Sequence, residues 1–191
     1  MGKKIVILIT GKKRSGKDTV AFMLNKYMDG SKLMSFAYPM KKIIYDTIGI
    51  TFKQGEYAKN YGKVKAFLKF WNPLFLFLDI RRVLQIFGTE GMKPWFGNTV
   101  WKDLAEKHMN SDVLIISDWR FPEESKWSSD YKIVTVRIER EGLISTDTHA
   151  SENALNEFET DYTIFNNSTI ENLDRKVETL AFKIASKYFE L

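Results

Sequence analysis

At 191 residues, with 44% hydrophobic and 14% aromatic composition, the chain can bury a full core; this excludes global disorder and fits one α/β domain with an inserted region. No apolar run reaches the roughly 18 residues a spanning helix needs, and the absence of cysteine excludes disulfides and thiolate metal sites, as expected in a reducing, intracellular setting. A net charge of +5 favours polyanionic partners; the cations are scattered in short groups such as Lys12-Lys13-Arg14, Lys41-Lys42 and Arg81-Arg82, which favours small phosphorylated ligands over nucleic acid.

Ile5-Val6-Ile7-Leu8-Ile9 is an unbroken apolar run, the pattern of a central parallel strand covered on both faces. A glycine-rich turn follows. Val20, Leu24 and Tyr27 then recur at helical spacing over Thr19 to Met28, and Asp29-Gly30 closes that helix. Lys32 to Phe36 reads as a short strand, and Pro39 opens a helix that stops near Gly49. Between 50 and 78 the pattern is broken by Gly55 and Gly62, with an aromatic stretch from Phe67 to Phe77 that reads as subdomain core or as a homodimer face. Helices are expected from about Ile80 to Phe87, ended by Gly88, and from about Thr99 to Met109. Val113 to Ser117, Ile133 to Ile138 and Tyr162 to Phe165 are further strands. A last helix over Ile170 to Tyr188 carries Leu173, Val177, Leu180, Ala181 and Ile184 on one face. Strands alternating with helices predict a three-layer α/β fold with a mostly parallel sheet.

Gly11-Lys12-Lys13-Arg14-Ser15-Gly16-Lys17-Asp18 stands between the first strand and the first helix and meets the spacing G-x-x-x-x-G-K in full. Glycines let such a loop wrap so that its N–H groups face phosphate oxygens, and the following helix N-terminus adds a favourable field. Lys17 is placed to reach the β- and γ-phosphates of ATP. Asp18 departs from the common pattern, which has Ser or Thr there to ligate Mg²⁺, and Thr19 comes one residue late for that role.

The segment Lys13 to Thr19 resembles the phosphate loop of the bacteriophage deoxynucleoside monophosphate kinases, which also carry Asp after the lysine. Four further segments are similar and occur in the same order: Arg81-Arg82-x-Leu84-Gln85-x-x-Gly88-Thr89; Asp118-x-Arg120 with Glu124; Arg140 followed by Asp147-Thr148-His149; and Ile164-x-Asn166-x-Ser168. The resemblance implies a P-loop NTPase fold over 1–191, with a nucleoside monophosphate-binding insertion at about 50–110 and a short lid at about 140–155. It implies ATP as co-substrate bound by Arg14, Ser15, Gly16, Lys17, Asp18 and Thr19, and a deoxynucleoside monophosphate as acceptor. Lys13, Arg82, Gly88, Thr89, Trp101, Asp118, Arg120 and Glu124 fall on the acceptor side. Lys17, Arg120 and Arg140 would act on the transferring phosphate, and Asp18 and Asp118 would hold Mg²⁺, directly or through water. A virus- or phage-encoded protein working in the host cytoplasm is the expected setting.

Several of these positions have plain structural readings of their own. Arg81 and Arg82 could form surface ion pairs, Arg140 could pair with Glu139 or Glu141, Asp118 could cap the next turn, Glu124 could be solvated, and Trp101 could be core. His149 reads as a hydrogen-bonding loop residue, since transfer to an existing phosphate needs no strong base. Phosphomevalonate kinase of the animal type shares the G-K-D loop. A kinase for that substrate or for dephospho-coenzyme A, and an ATP-switched binding protein, are therefore the rival readings.

Overall fold

The computed structural model describes residues 4–61, 80–107, 111–143 and 159–188. In chain order the elements are β1 (Lys4–Thr10), α1 (Lys17–Tyr27), β2 (Ser31–Met34), α2 (Ala37–Thr47), α3 (Phe52–Tyr61) and α4 (Ile80–Gln85). A π-helical turn (Ile86–Gly91) leads into α5 (Met92–Phe96) and α6 (Val100–Lys107), then β3 (Val113–Ile116), a 3₁₀ turn (Pro122–Ser125), β4 (Tyr131–Glu139), β5 (Tyr162–Phe165) and α7 (Ile170–Tyr188). The chain divides into two compact units, one of residues 1–35 with 108–191 and one of residues 36–107.

Among the described residues, the first unit is built on a five-stranded sheet of order β2-β3-β1-β4-β5 in which every pairing is parallel. Ile5 to Ile9 are each 0% exposed, so β1 is the centre that the apolar run predicts. Each such side chain contributes roughly 1.5–3 kcal/mol on burial. On one face, Val20, Ala21 and Leu24 of α1 and the Leu173, Val177, Leu180, Ala181 and Ile184 stripe of α7 pack with Ile5, Ile7, Ile9, Val134, Val136 and Ile138.

Because the strands run the same way, their carboxyl ends share one edge. The loops at Gly11, Ser35, Ser117, Arg140 and Asn166 therefore gather there. The strand order turns about β1, with β3 on one side and β4 on the other, and the crevice outside the end of such a strand is where open α/β sheets bind ligands.

The second unit is helical. Its core holds Tyr45, 1% exposed, whose hydroxyl donates to Glu56 Oε1 at 2.9 Å. Lys41 and Lys59 pair with the same carboxylate at 3.1 and 3.3 Å. Gly55, read from sequence as a break, lies inside α3, where a Cβ would fall on the Tyr45 ring. Gly88 does not end its helix either. A Cβ there would strike the Met40 sulfur, and its carbonyl accepts the Trp101 indole N–H at 3.0 Å, so the chain continues through the π-turn into α5. The helix expected from Thr99 spans Val100–Lys107 over the described residues, and the aromatic stretch Phe67 to Phe77 lies outside them. Among the described residues no helix is long and apolar enough to cross a membrane.

Candidate active site

Three residues of the β1–α1 loop take left-handed backbone angles: Gly11 (φ 144°), Arg14 (φ 67°) and Gly16 (φ 102°). Arg14 alone carries a side chain there, at a steric cost of roughly 1–2 kcal/mol that the surroundings must hold. Glycine at 11 is required by close approach, since a Cβ would run into the carbonyl oxygen of Ile138 on β4. The Lys17 ammonium, at the first residue of α1, bridges the carbonyls of Gly11 (2.7 Å) and Lys12 (2.9 Å) and so lies across the loop. A cavity of about 470 Å³ adjoins it, lined by Arg14, Gly16, Lys17, Asp18 and Thr19 together with Arg140, Asn166, Ser168, Ile170 and Leu173. Lys13 is exposed on the loop and does not line that cavity.

The two candidate carboxylates on this edge each receive a serine hydroxyl. Ser117, directly after β3, donates to Asp18 Oδ1 at 2.7 Å, and Ser35, directly after β2, donates to Asp118 Oδ2 at 2.6 Å. Carboxylate and hydroxyl oxygens are the hard donors that suit Mg²⁺, which takes one or two carboxylates along with water and phosphate oxygens. The donor set therefore fits the metal. Among the described residues no three His, Cys, Asp or Glu side chains cluster as a protein-only metal cage, and such a site does not need one.

Arg120 is half-buried, and its position is fixed by Glu124. The Glu124 carboxylate, 3% exposed, accepts the backbone N–H of Arg120 at 3.1 Å and of Phe121 at 3.2 Å, while its own N–H donates to the Phe121 carbonyl at 3.0 Å, closing the start of the 3₁₀ turn. Neither a solvated residue nor an open substrate contact, Glu124 shapes the turn that carries Arg120. Arg140, the residue after β4, is exposed on the cavity wall and among the described residues has no ion-pair partner, so pairing with Glu139 or Glu141 is not found. Asp147, Thr148 and His149, with most of the expected lid, lie outside the described residues.

On the second unit Arg82 is exposed and pairs with Glu90 at 3.1 Å. Thr89 is half-buried beside the buried Gly88. Trp101 is 5% exposed and held by its bond to Gly88; it is core rather than an open stacking platform. Sequence reasoning missed Ser117 and Ser35. The signal available was a hydroxyl residue directly after each short apolar strand. Asn166 stood in a recognised segment without a role, and its side chain reaches the Ser15 carbonyl at 2.8 Å.

The family model for deoxynucleotide monophosphate kinases matches residues 76–177, more than half of the 191. The chain belongs to the deoxynucleotide monophosphate kinase family. A provisionally named deoxynucleotide monophosphate kinase of Acanthamoeba polyphaga mimivirus is 28% identical over 87% of this chain and 91% of its own length. The deoxynucleotide monophosphate kinase of Escherichia phage RB69 is 29% identical over 53% of this chain and 44% of its own length. A Thermus thermophilus protein of known structure superposes with a TM-score of 0.49 at 14% identity, over 95% of this chain and 98% of that one. By family, then, the chain is a kinase, a transferase acting on nucleotides. The family match begins after the phosphate loop, so residues 11–19 stand as an independent observation, made from spacing and backbone geometry.

Proposed function

We propose that this kinase transfers the γ-phosphoryl group of ATP to a deoxynucleoside 5′-monophosphate, giving the diphosphate and ADP, inside the host cell. The observation that carries the reading is the left-handed loop at the end of the central parallel strand, with Lys17 across it and a cavity of about 470 Å³ beside it. Loop N–H groups and the α1 N-terminus favour phosphate oxygens. Lys17 exchanges its carbonyl partners for the β- and γ-phosphates, and Arg140 and Arg120 meet the charge that spreads over the transferring group. Asp18 and Ser117, with Asp118, are the residues we assign to Mg²⁺. Bound there, the metal would neutralise charge on the β- and γ-phosphate oxygens. Lys13 is assigned beside the acceptor, and Arg82 and Thr89 on the second unit to its phosphate. Trp101 and Glu124 act by packing and by shaping the Arg120 turn.

A coupled assay of ADP release across deoxy- and ribonucleoside monophosphates tests this. Release that depends on a deoxynucleoside monophosphate, and varies with its base, is the expected result. Release independent of any nucleotide acceptor, or stimulated only by phosphomevalonate or dephospho-coenzyme A, would overturn it.

A further inference from the structure

We infer that Asn166 is a positioning residue for the phosphate loop: its amide sets the orientation of the Ser15–Gly16 peptide, and it does so without reading the nucleotide base. The inference rests on the reading of residues 11–19 as a phosphate site. Asn166 follows β5 and is anchored by its own backbone N–H, which donates to Glu139 O at 2.7 Å at the end of β4. From that fixed point its side-chain N–H₂ donates to Ser15 O at 2.8 Å, a bond that spans 151 residues of sequence.

The approach is close, so a side chain at position 16, whose backbone angle already favours glycine, would have to push the amide aside. A Cβ on Gly16, whose φ is 102°, would stand 2.5 Å from Asn166 Nδ2. In a planar trans peptide the C=O and the following N–H point in opposite directions. Holding the Ser15 carbonyl against Asn166 therefore turns the Gly16 N–H away from it. The next residues back include Arg14, held at φ 67°, a conformation that persists only where neighbouring structure over-determines it. Asn166 reaches this loop from another strand end, 151 residues on in the sequence.

The test uses Asn166→Ala and the isosteric Asn166→Asp, with Mg²⁺-tripolyphosphate, Mg²⁺-ATP and Mg²⁺-GTP binding measured by calorimetry on the whole chain. Tripolyphosphate carries no base and no acceptor is present, so the result is independent of which monophosphate the enzyme phosphorylates. Both variants should bind all three ligands weaker by about tenfold or more, the cost of one hydrogen bond and the loop order it maintains. Asn166→Asp should be no better than Asn166→Ala, because its carboxylate faces the Ser15 carbonyl as a second acceptor. Full tripolyphosphate binding by the variants, a loss confined to ATP, or rescue by Asn166→Asp would each overturn the inference. The last would show a role in packing alone. Wild-type protein that binds none of the three would instead sink the phosphate-site reading and the inference with it.

Discussion

The hydroxyl of Ser117 donates to the carboxylate of Asp18 at 2.7 Å, joining the first turn of α1, where the phosphate loop ends, to the residue that follows β3. In the common P-loop arrangement the loop carries the hydroxyl and the metal's carboxylate comes from a separate strand-end Asp. Here Asp118 keeps the strand-end carboxylate, while Asp18 stands where the common loop has its hydroxyl and Ser117 supplies a hydroxyl beside it. Asp18→Ala should cut kcat sharply and flatten its dependence on Mg²⁺ while ATP still binds. Asp18→Asn should sit near Ala, and Asp18→Ser should recover part of the activity. The exchanged pair Asp18→Ser with Ser117→Asp should recover more than either single change. Kinetics across a Mg²⁺ titration check this; a fully active Asp18→Asn would make Asp18 a capping residue instead.

Lys17→Met should abolish transfer while the protein still folds, with Tm lowered only by the loss of its bonds to the loop carbonyls of Gly11 and Lys12. Transfer above a few per cent of the wild-type rate would falsify the assignment.

Arg82 pairs with Glu90 across an exposed surface, with both side chains near half exposure, and such a pair is worth about 0–1 kcal/mol. Arg82→Ala should lower kcat/KM for the acceptor by about 30- to 1,000-fold with ATP affinity kept, the cost of a lost charge-assisted contact to phosphate. Glu90→Gln should do the opposite and lower the acceptor KM by up to about fivefold, since Arg82 no longer has to leave a partner. If Arg82→Ala weakens ATP and spares the acceptor, Arg82 serves the donor instead.

Glu124→Ala leaves the N–H groups of Arg120 and Phe121 without their buried acceptor. The expected loss is about 1–3 kcal/mol, a fall in Tm of roughly 2–12 °C for a chain of this size. Glu124→Gln keeps an oxygen in place and should lose less. A calorimetric scan of the three proteins decides it.

Burial by itself would push the Glu56 carboxyl up, but Lys41 and Lys59 outweigh it and hold the group below its ordinary value of 4.5. A carboxyl whose folded pKa is depressed gives stability that is present above its unfolded pKa and lost as pH falls through the folded value. The Tm gap between wild type and Glu56→Gln should therefore be full at neutral pH and close as pH drops below about 4.5. A gap that stays constant from pH 7 down to acid would mean the ion pairs contribute nothing.

What the sequence disclosed and what it hid follow one physical division. β1 was legible because a strand covered on both faces needs an unbroken apolar run, and α7 because a single covered face leaves a 3.6-residue period. The π-turn was not, since Gly88 is a stop signal unless Trp101, thirteen residues on, takes its carbonyl. Nor was α3, whose Gly55 looks like a break until the Tyr45 ring is set against it. At the site, Lys17 and Asp18 are read from spacing within one loop. Ser117 and Asn166 act on that loop from remote strand ends, and no local pattern carries that information.

The central position of β1 has a consequence for synthesis. Its two neighbours, β3 and β4, leave the ribosome more than a hundred residues later, from Val113 and Tyr131. Until then Ile5 to Ile9 has two open edges and two greasy faces, no proline and no charge, which is the composition of a segment that stacks against its own kind. A nascent chain stalled or truncated before residue 113 should therefore be prone to aggregate through Ile5 to Ile9. The complete polypeptide should depend on early shielding by a chaperone in proportion to how slowly the intervening helices are translated.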